Sequence, residues 1–202
     1  MSSERDDQAE ALDLAADHTD RHRLFEARDL TLGGLLGALA ITLPLAFHAL
    51  GPGAGPVFLP MYLPILALGC LVSWEVALAV GLAAPLLSGV LTGMPPLAPP
   101  IALLMACELA ALGTVASLVR SRGLPLMAGV AAGMIASRLA GMLALLTIGR
   151  ALGYDRGLLE YGLLSLAVAW PGMLLQLTVV PGAVAAIERV SLIGSRWKKE
   201  TT

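Results

Sequence analysis

The sequence predicts an all-α membrane protein, a bundle of six transmembrane helices with both termini in the cytoplasm, and three observations lead there. Of 202 residues, 57% are hydrophobic and 14% charged, a balance outside the range of ordinary soluble domains. From Leu30 to Val119 the only charged residues are Glu75 and Glu108. After Arg120 and Arg122 the apolar pattern resumes, with Arg138 standing alone in mid-span. Several stretches reach about 20 apolar residues, enough at about 1.5 Å per residue to cross ~30 Å of hydrocarbon.

Residues 1–29 are polar and acid-rich (Glu4, Asp6, Asp7, Glu10, Asp13, Asp17 and Asp20) and read as a disordered cytoplasmic tail. His18, His22 and Glu26 have helical metal-ligand spacing, but a solvated tail offers no dry site, so no metal is expected. The transmembrane domain covers 30–190. Its first span runs Thr31–Leu50, with Asp29 or Thr31 available as N-cap, and the glycine-rich turn Gly51–Pro56 follows. This span follows a long polar segment and lacks a small-residue cleavage site, so it reads as an anchor. The second, Val57–Ser73, is short, and Pro60 and Pro64 predict a bent or partly unwound start. Trp74 and Glu75 mark an interface, the acid suiting the N-terminus of the third span, Val76–Thr92. Gly93–Pro100 is a proline-stiffened turn before the fourth span, Ile101–Val119. The fifth covers Leu124–Ile148. The sixth, Gly157–Ile187, is long for a straight crossing, and a kink near Trp170-Pro171-Gly172 would reconcile it with the bilayer. Residues 191–202 form a basic tail.

Arginine and lysine choose the orientation. Arg21, Arg23, Arg28, Arg120, Arg122, Arg189, Arg196, Lys198 and Lys199 share one face of a six-span topology, against Arg150 and Arg156 on the other. The positive-inside rule places both termini in the cytoplasm of a cell (inner) membrane protein.

Absent motifs exclude whole classes. There is no P-loop, no H-E-x-x-H, no G-x-S-x-G, and no Asp between Asp29 and Asp155 to form an intramembrane aspartyl pair; an enzyme is not expected. No basic, aromatic-interleaved patch suggests nucleic acid. Cys70 and Cys107 lie within apolar spans and read as small packing residues. The chemistry rests on Glu108 and Arg138. A charge at the centre of a span costs roughly 2.5–3.5 kcal/mol on insertion scales, so each needs a partner or a polar ligand. By register they lie about 12 and about 15 Å deep on antiparallel neighbours, and they either lock the two helices or line a polar site. Met134 and Met142 flank Arg138. His48, Tyr62, Trp170 and Gln176 are lesser candidates in the same outer half. Gly129, Gly133, Ser137 and Gly141 repeat every four residues beside Ala128, Ala132, Ala136 and Ala140, which predicts a closely packed, central fifth helix.

The segments Phe58-Leu-Pro-Met-Tyr-Leu-Pro64, Ser88-Gly-Val-Leu-Thr-Gly-Met-Pro-Pro96, Met105-Ala-Cys-Glu-Leu109 and Trp170-Pro-Gly-Met-Leu-Leu-Gln176, set in six short helices, resemble a substrate-binding (S) component of an energy-coupling factor transporter. The resemblance covers residues 30–190 and implies that a water-soluble vitamin or related micronutrient is bound from outside without a cofactor. It further implies docking on a transmembrane coupling subunit served by two ATPases, through Gly34 and Ala38 in place of the family's Ala-x-x-x-Ala pattern. Glu108 and Arg138 would hold a zwitterionic or carboxylate-bearing ligand, with turns 51–56 and 93–98 as lids. A helical scaffold protein locked by Glu108–Arg138 and a self-sufficient secondary transporter are the competing readings.

Overall fold

The computed structural model describes residues 27–47, 51, 57–154 and 157–200, with the backbone course alone for 158–166 and 191–200. The described residues form helices and no strand. These are α1 (Ala27–Phe47), α2 (Tyr62–Leu71), α3 (Trp74–Thr92), α4 (Ile101–Ser121), α5 (Leu126–Ala144, continued by a π-helical turn Leu145–Gly149) and α6 (Leu158–Glu200). Five of them, α1, α3, α4, α5 and α6, contain stretches long and apolar enough to cross a bilayer; α2 is the short one, at 10 residues. The described residues are thus all-helical, and the protein is of multi-pass membrane character.

The short helix is the innermost. Nine residues of α2, Tyr62 and Pro64–Leu71, are buried, so it is apolar on every side rather than along one stripe. Pro64 falls in its first turn, where the missing N–H has no partner to lose. Ahead of it Leu59 takes a positive φ of 49° between helical residues 57–58 and α2, the broken start that Pro60 and Pro64 suggested.

Contacts at the two ends of α2 align the rest. The Phe47 and Phe58 rings lie 5.5 Å apart, joining the end of α1 to the start of the α2 segment. At the opposite end Arg28 Nη1 donates to the Leu71 carbonyl (3.3 Å), Ser117 Oγ donates to the Val72 carbonyl (2.7 Å), and Asp29 accepts from the Ser73 N–H (2.7 Å). Two carbonyls at the close of α2 and a donor at the start of α3 are thereby satisfied. The expected capping role of Asp29 on α1 is corrected: α1 is already helical at Ala27, and the carboxylate serves the start of α3 instead. Thr31 likewise sits inside α1, its hydroxyl donating to the Ala27 carbonyl.

The expectation of a central α5 is also corrected. Gly129, Gly133, Ser137 and Gly141 are buried, but Ile135, Leu139 and Leu143 on the same helix are each 63% exposed. A stripe of small residues records one close contact, not a surrounded helix. The hub is α4. A Cβ added to Gly69 of α2 would lie 2.8 Å from Gly113 Cα. One on Gly81 of α3 would lie 2.7 Å from the Leu109 carbonyl oxygen, and one on Gly133 of α5 would lie 2.7 Å from that of Leu112. Three helices therefore meet α4 backbone to backbone within residues 109–113. Gly33 and Gly37 bring α1 against Val76 and Val80 of α3. Helix α6 closes on α2, with Gly172 against the Phe58 carbonyl, and the helix continues unbroken through Pro171 and Pro181.

The turn after α3 is pinned. Gly93, at φ 73°, ends the helix in the left-handed conformation glycine tolerates, while Ser88 and Thr92 hydroxyls donate to the Met94 carbonyl at 2.6 and 3.1 Å. Turn 52–56, the tail with His18, His22 and Glu26, His48 and Arg156 lie outside the described residues.

Candidate functional site

Three helices contribute to one buried polar cluster. Glu108, on the face of α4 that meets α5, is 2% exposed. Tyr62, the first residue of α2 and 3% exposed, donates its phenolic hydroxyl to Glu108 Oε2. Arg138, from mid-α5, places Nη1 3.9 Å from the same oxygen, with its guanidinium carbon 5.7 Å from the centroid of the Tyr62 ring. The second carboxylate oxygen faces Gly141, where an added Cβ would come 2.7 Å from Glu108 Cδ. Gly141 is three residues beyond Arg138, so one face of α5 supplies both a cation and the space for the carboxylate it approaches.

The two charges are not equivalent. Glu108 is enclosed, hydrogen-bonded and seated in the space that Gly141 leaves. The Arg138 side chain is 17% exposed, and its separation of 3.9 Å from Glu108 is an ion pair beyond hydrogen-bond reach. It is drawn to the Tyr62 ring face as a cation–π contact, yet among the described residues it donates no hydrogen bond. A guanidinium carries five N–H donors in a planar fork. Met134, buried, and Met142, half-buried, adjoin it in sequence on α5.

Of the remaining candidates, Gln176 lies inward on α6 at 1% exposure, and its Nε2 has no hydrogen-bond partner. Gln176 follows by one helical turn Gly172, the residue in contact with the Phe58 carbonyl. Trp170 points outward at 59% exposure and does not join the cluster. Gly34 and Ala38 lie on the exposed face of α1, and a Cβ on Gly34 would meet nothing within 4 Å. No group of His, Cys, Asp and Glu among the described residues is arranged to hold a metal ion.

Sequence reasoning missed two features. The part played by Gly141 was visible only as one element of a packing stripe, although its spacing from Arg138 puts both on one face. The pair of Arg120 Nη2 with Glu188 Oε1 at 2.9 Å, which ties the end of α4 to α6, was signalled by an acid late in an apolar run. No family model, no curated protein and no solved structure matches the chain.

Proposed function

We propose that this chain is the membrane-embedded substrate-specificity subunit of an energy-coupling-factor-type importer, binding a vitamin-like micronutrient from outside. In this reading the chain crosses the membrane six times with cytoplasmic termini. The observation that carries it is Arg138: an arginine within an apolar helix, its side chain 17% exposed, that donates no hydrogen bond to the described residues. A buried cation without hydrogen-bond partners is costly, and a ligand rich in acceptors relieves that cost. Two features support the wider assignment. The sequence contains no nucleotide-binding loop, so an energised importer of this kind needs separate ATPases and a coupling subunit. The exposed Gly34–Ala38 face of α1 admits close approach by another helix.

A second reading has its own observation. Glu108, enclosed and bonded to Tyr62, has the environment of a structural lock holding α2, α4 and α5 in a scaffold protein. Native mass spectrometry of the gently purified chain separates the two. A stoichiometric adduct of vitamin size supports the importer subunit. Absence of any adduct, before and after incubation with a vitamin panel, supports the scaffold.

A further inference from the structure

Helix α6 outruns its membrane span. Its apolar stretch ends at Val190, yet the helix continues to Glu200, about 15 Å further along its axis. By helical register positions 189, 196 and 199, occupied by Arg, Arg and Lys, fall on one side of this extension. A basic helix face clear of the hydrocarbon suits an acidic helix as partner.

The chain itself carries such a segment. Residues 1–20 hold seven acids and a single base, Arg5. Five of the acids, Asp6, Glu10, Asp13, Asp17 and Asp20, alternate four and three apart, the spacing that puts them on one side of a helix. This segment leads into α1 at the end of the bundle from which the α6 extension leaves. Arg28 donates to the Leu71 carbonyl, Ser117 joins the same end of α2 to α4, and Arg120 at the end of α4 pairs with Glu188. Helix α2 lies between the two, bonded to Arg28 and packed along α6. Two helix-to-helix steps of about 8–10 Å each separate α1 from α6, and the chain from Arg21 to Ala27 spans up to about 20 Å.

The two segments run in opposite directions, the first toward the bundle and the second away from it. Counting back from Asp20, the acids Asp13 and Glu10 follow at intervals of seven and three residues. Counting forward from Arg189, the bases Arg196 and Lys199 follow at the same intervals. An antiparallel pairing therefore sets Asp20, Asp13 and Glu10 opposite Arg189, Arg196 and Lys199, with Arg21 opposite Glu188 and no like charges opposed. We propose that residues 6–21 dock as an antiparallel helix on the basic extension of α6 in the same chain. The contact does not depend on what the bundle binds. It screens the extension from anionic lipid headgroups and weakens as salt rises.

The test uses the full-length chain with Cys70 and Cys107 changed to Ala, one copy per nanodisc. Asp17→Cys and Leu192→Cys, level in the proposed register, are joined by a short bismaleimide, and the cross-link is read by mass spectrometry. It is expected to form at least about tenfold faster than one between Gln8→Cys and Leu192→Cys, which is displaced by about 13 Å. Asp13→Lys or Arg196→Glu alone slows it about fivefold or more, and the two together restore it. Equal rates for the two cysteine pairs, or charge reversals without effect, overturn the pairing. So does the absence of any cross-link while the extension resists trypsin only in anionic nanodiscs, which assigns the basic face to lipid headgroups.

Discussion

At the scale of single residues, the chain's two mid-span charges are legible because apolar sequence leaves nothing to hide them. Their surroundings are not, because Tyr62 and Gly141 lie far from Glu108 in sequence and only the fold brings them to it. Tyr62→Phe removes the donor and leaves a buried carboxylate oxygen less satisfied. We expect a loss of about 1–3 kcal/mol, read as a lowered unfolding midpoint in detergent. Glu108→Gln, which keeps an acceptor toward Tyr62 but strands Arg138, is expected to lose more, within the roughly 3–5 kcal/mol seen when one partner of a buried pair is removed. Equal, negligible losses would mean the cluster does not hold the helices. Gln176→Leu should behave oppositely in the ligand-free protein. Removing an unpartnered buried amide is expected to leave the melting temperature unchanged or raise it, whereas a clear drop would show that the amide has a partner.

Helix positions followed from hydropathy, since length and apolar content are local properties, but the ends did not all follow: α2 begins at Tyr62 rather than Val57, and α6 runs on to Glu200 through the stretch expected as a tail rather than stopping at Ile187. Centrality did not follow. The stripe on α5 looked like the mark of a surrounded helix, but the helix actually surrounded, α4, has its partners' glycines facing it: Gly69, Gly81 and Gly133 each supply the gap on their own helices. Which helix is central depends on where other elements place their small residues, and no single stretch encodes that. The shortness of α2 was anticipated from its prolines, its near-complete enclosure was not. Gly81→Ala tests the packing. The new Cβ would stand 2.7 Å from the Leu109 carbonyl oxygen and 2.8 Å from Ala110 Cα, backbone that cannot swing aside. A loss of about 1–3 kcal/mol is expected, as for other overpacked sites. Gly34→Ala is the matched control: with nothing within 4 Å of its Cβ, the substitution should be neutral or gain up to about 1 kcal/mol from helix propensity. Similar losses at both positions would remove the argument for backbone contact at α4.

Across the whole molecule, contacts sort into two ends. Phe47, Phe58 and Gly172 meet at one; Arg28, Asp29, Leu71–Ser73, Ser117, Arg120 and Glu188 meet at the other. Segment 57–73 therefore runs the same distance as α1 in the opposite direction, although its helix proper would cover only about 15 Å of a ~30 Å core. The broken turn at Leu59 and the non-helical Val72–Ser73 supply the remaining reach. Whether this segment crosses or dips back decides the topology, and site-directed labelling distinguishes the cases. In a background with Cys70 and Cys107 changed to Ala, single cysteines are placed at exposed Ala27, Leu97 and Arg122. If 57–73 crosses, positions 27 and 122 share the cytoplasmic side, so a membrane-impermeant maleimide added to intact cells labels 97 and spares the other two. If 57–73 re-enters from one side, 27 and 122 fall on opposite sides and one of them labels with intact cells. Arg28, Arg120 and Arg122 then no longer share a face, and the charge asymmetry that sets the orientation is lost along with the six-span bundle.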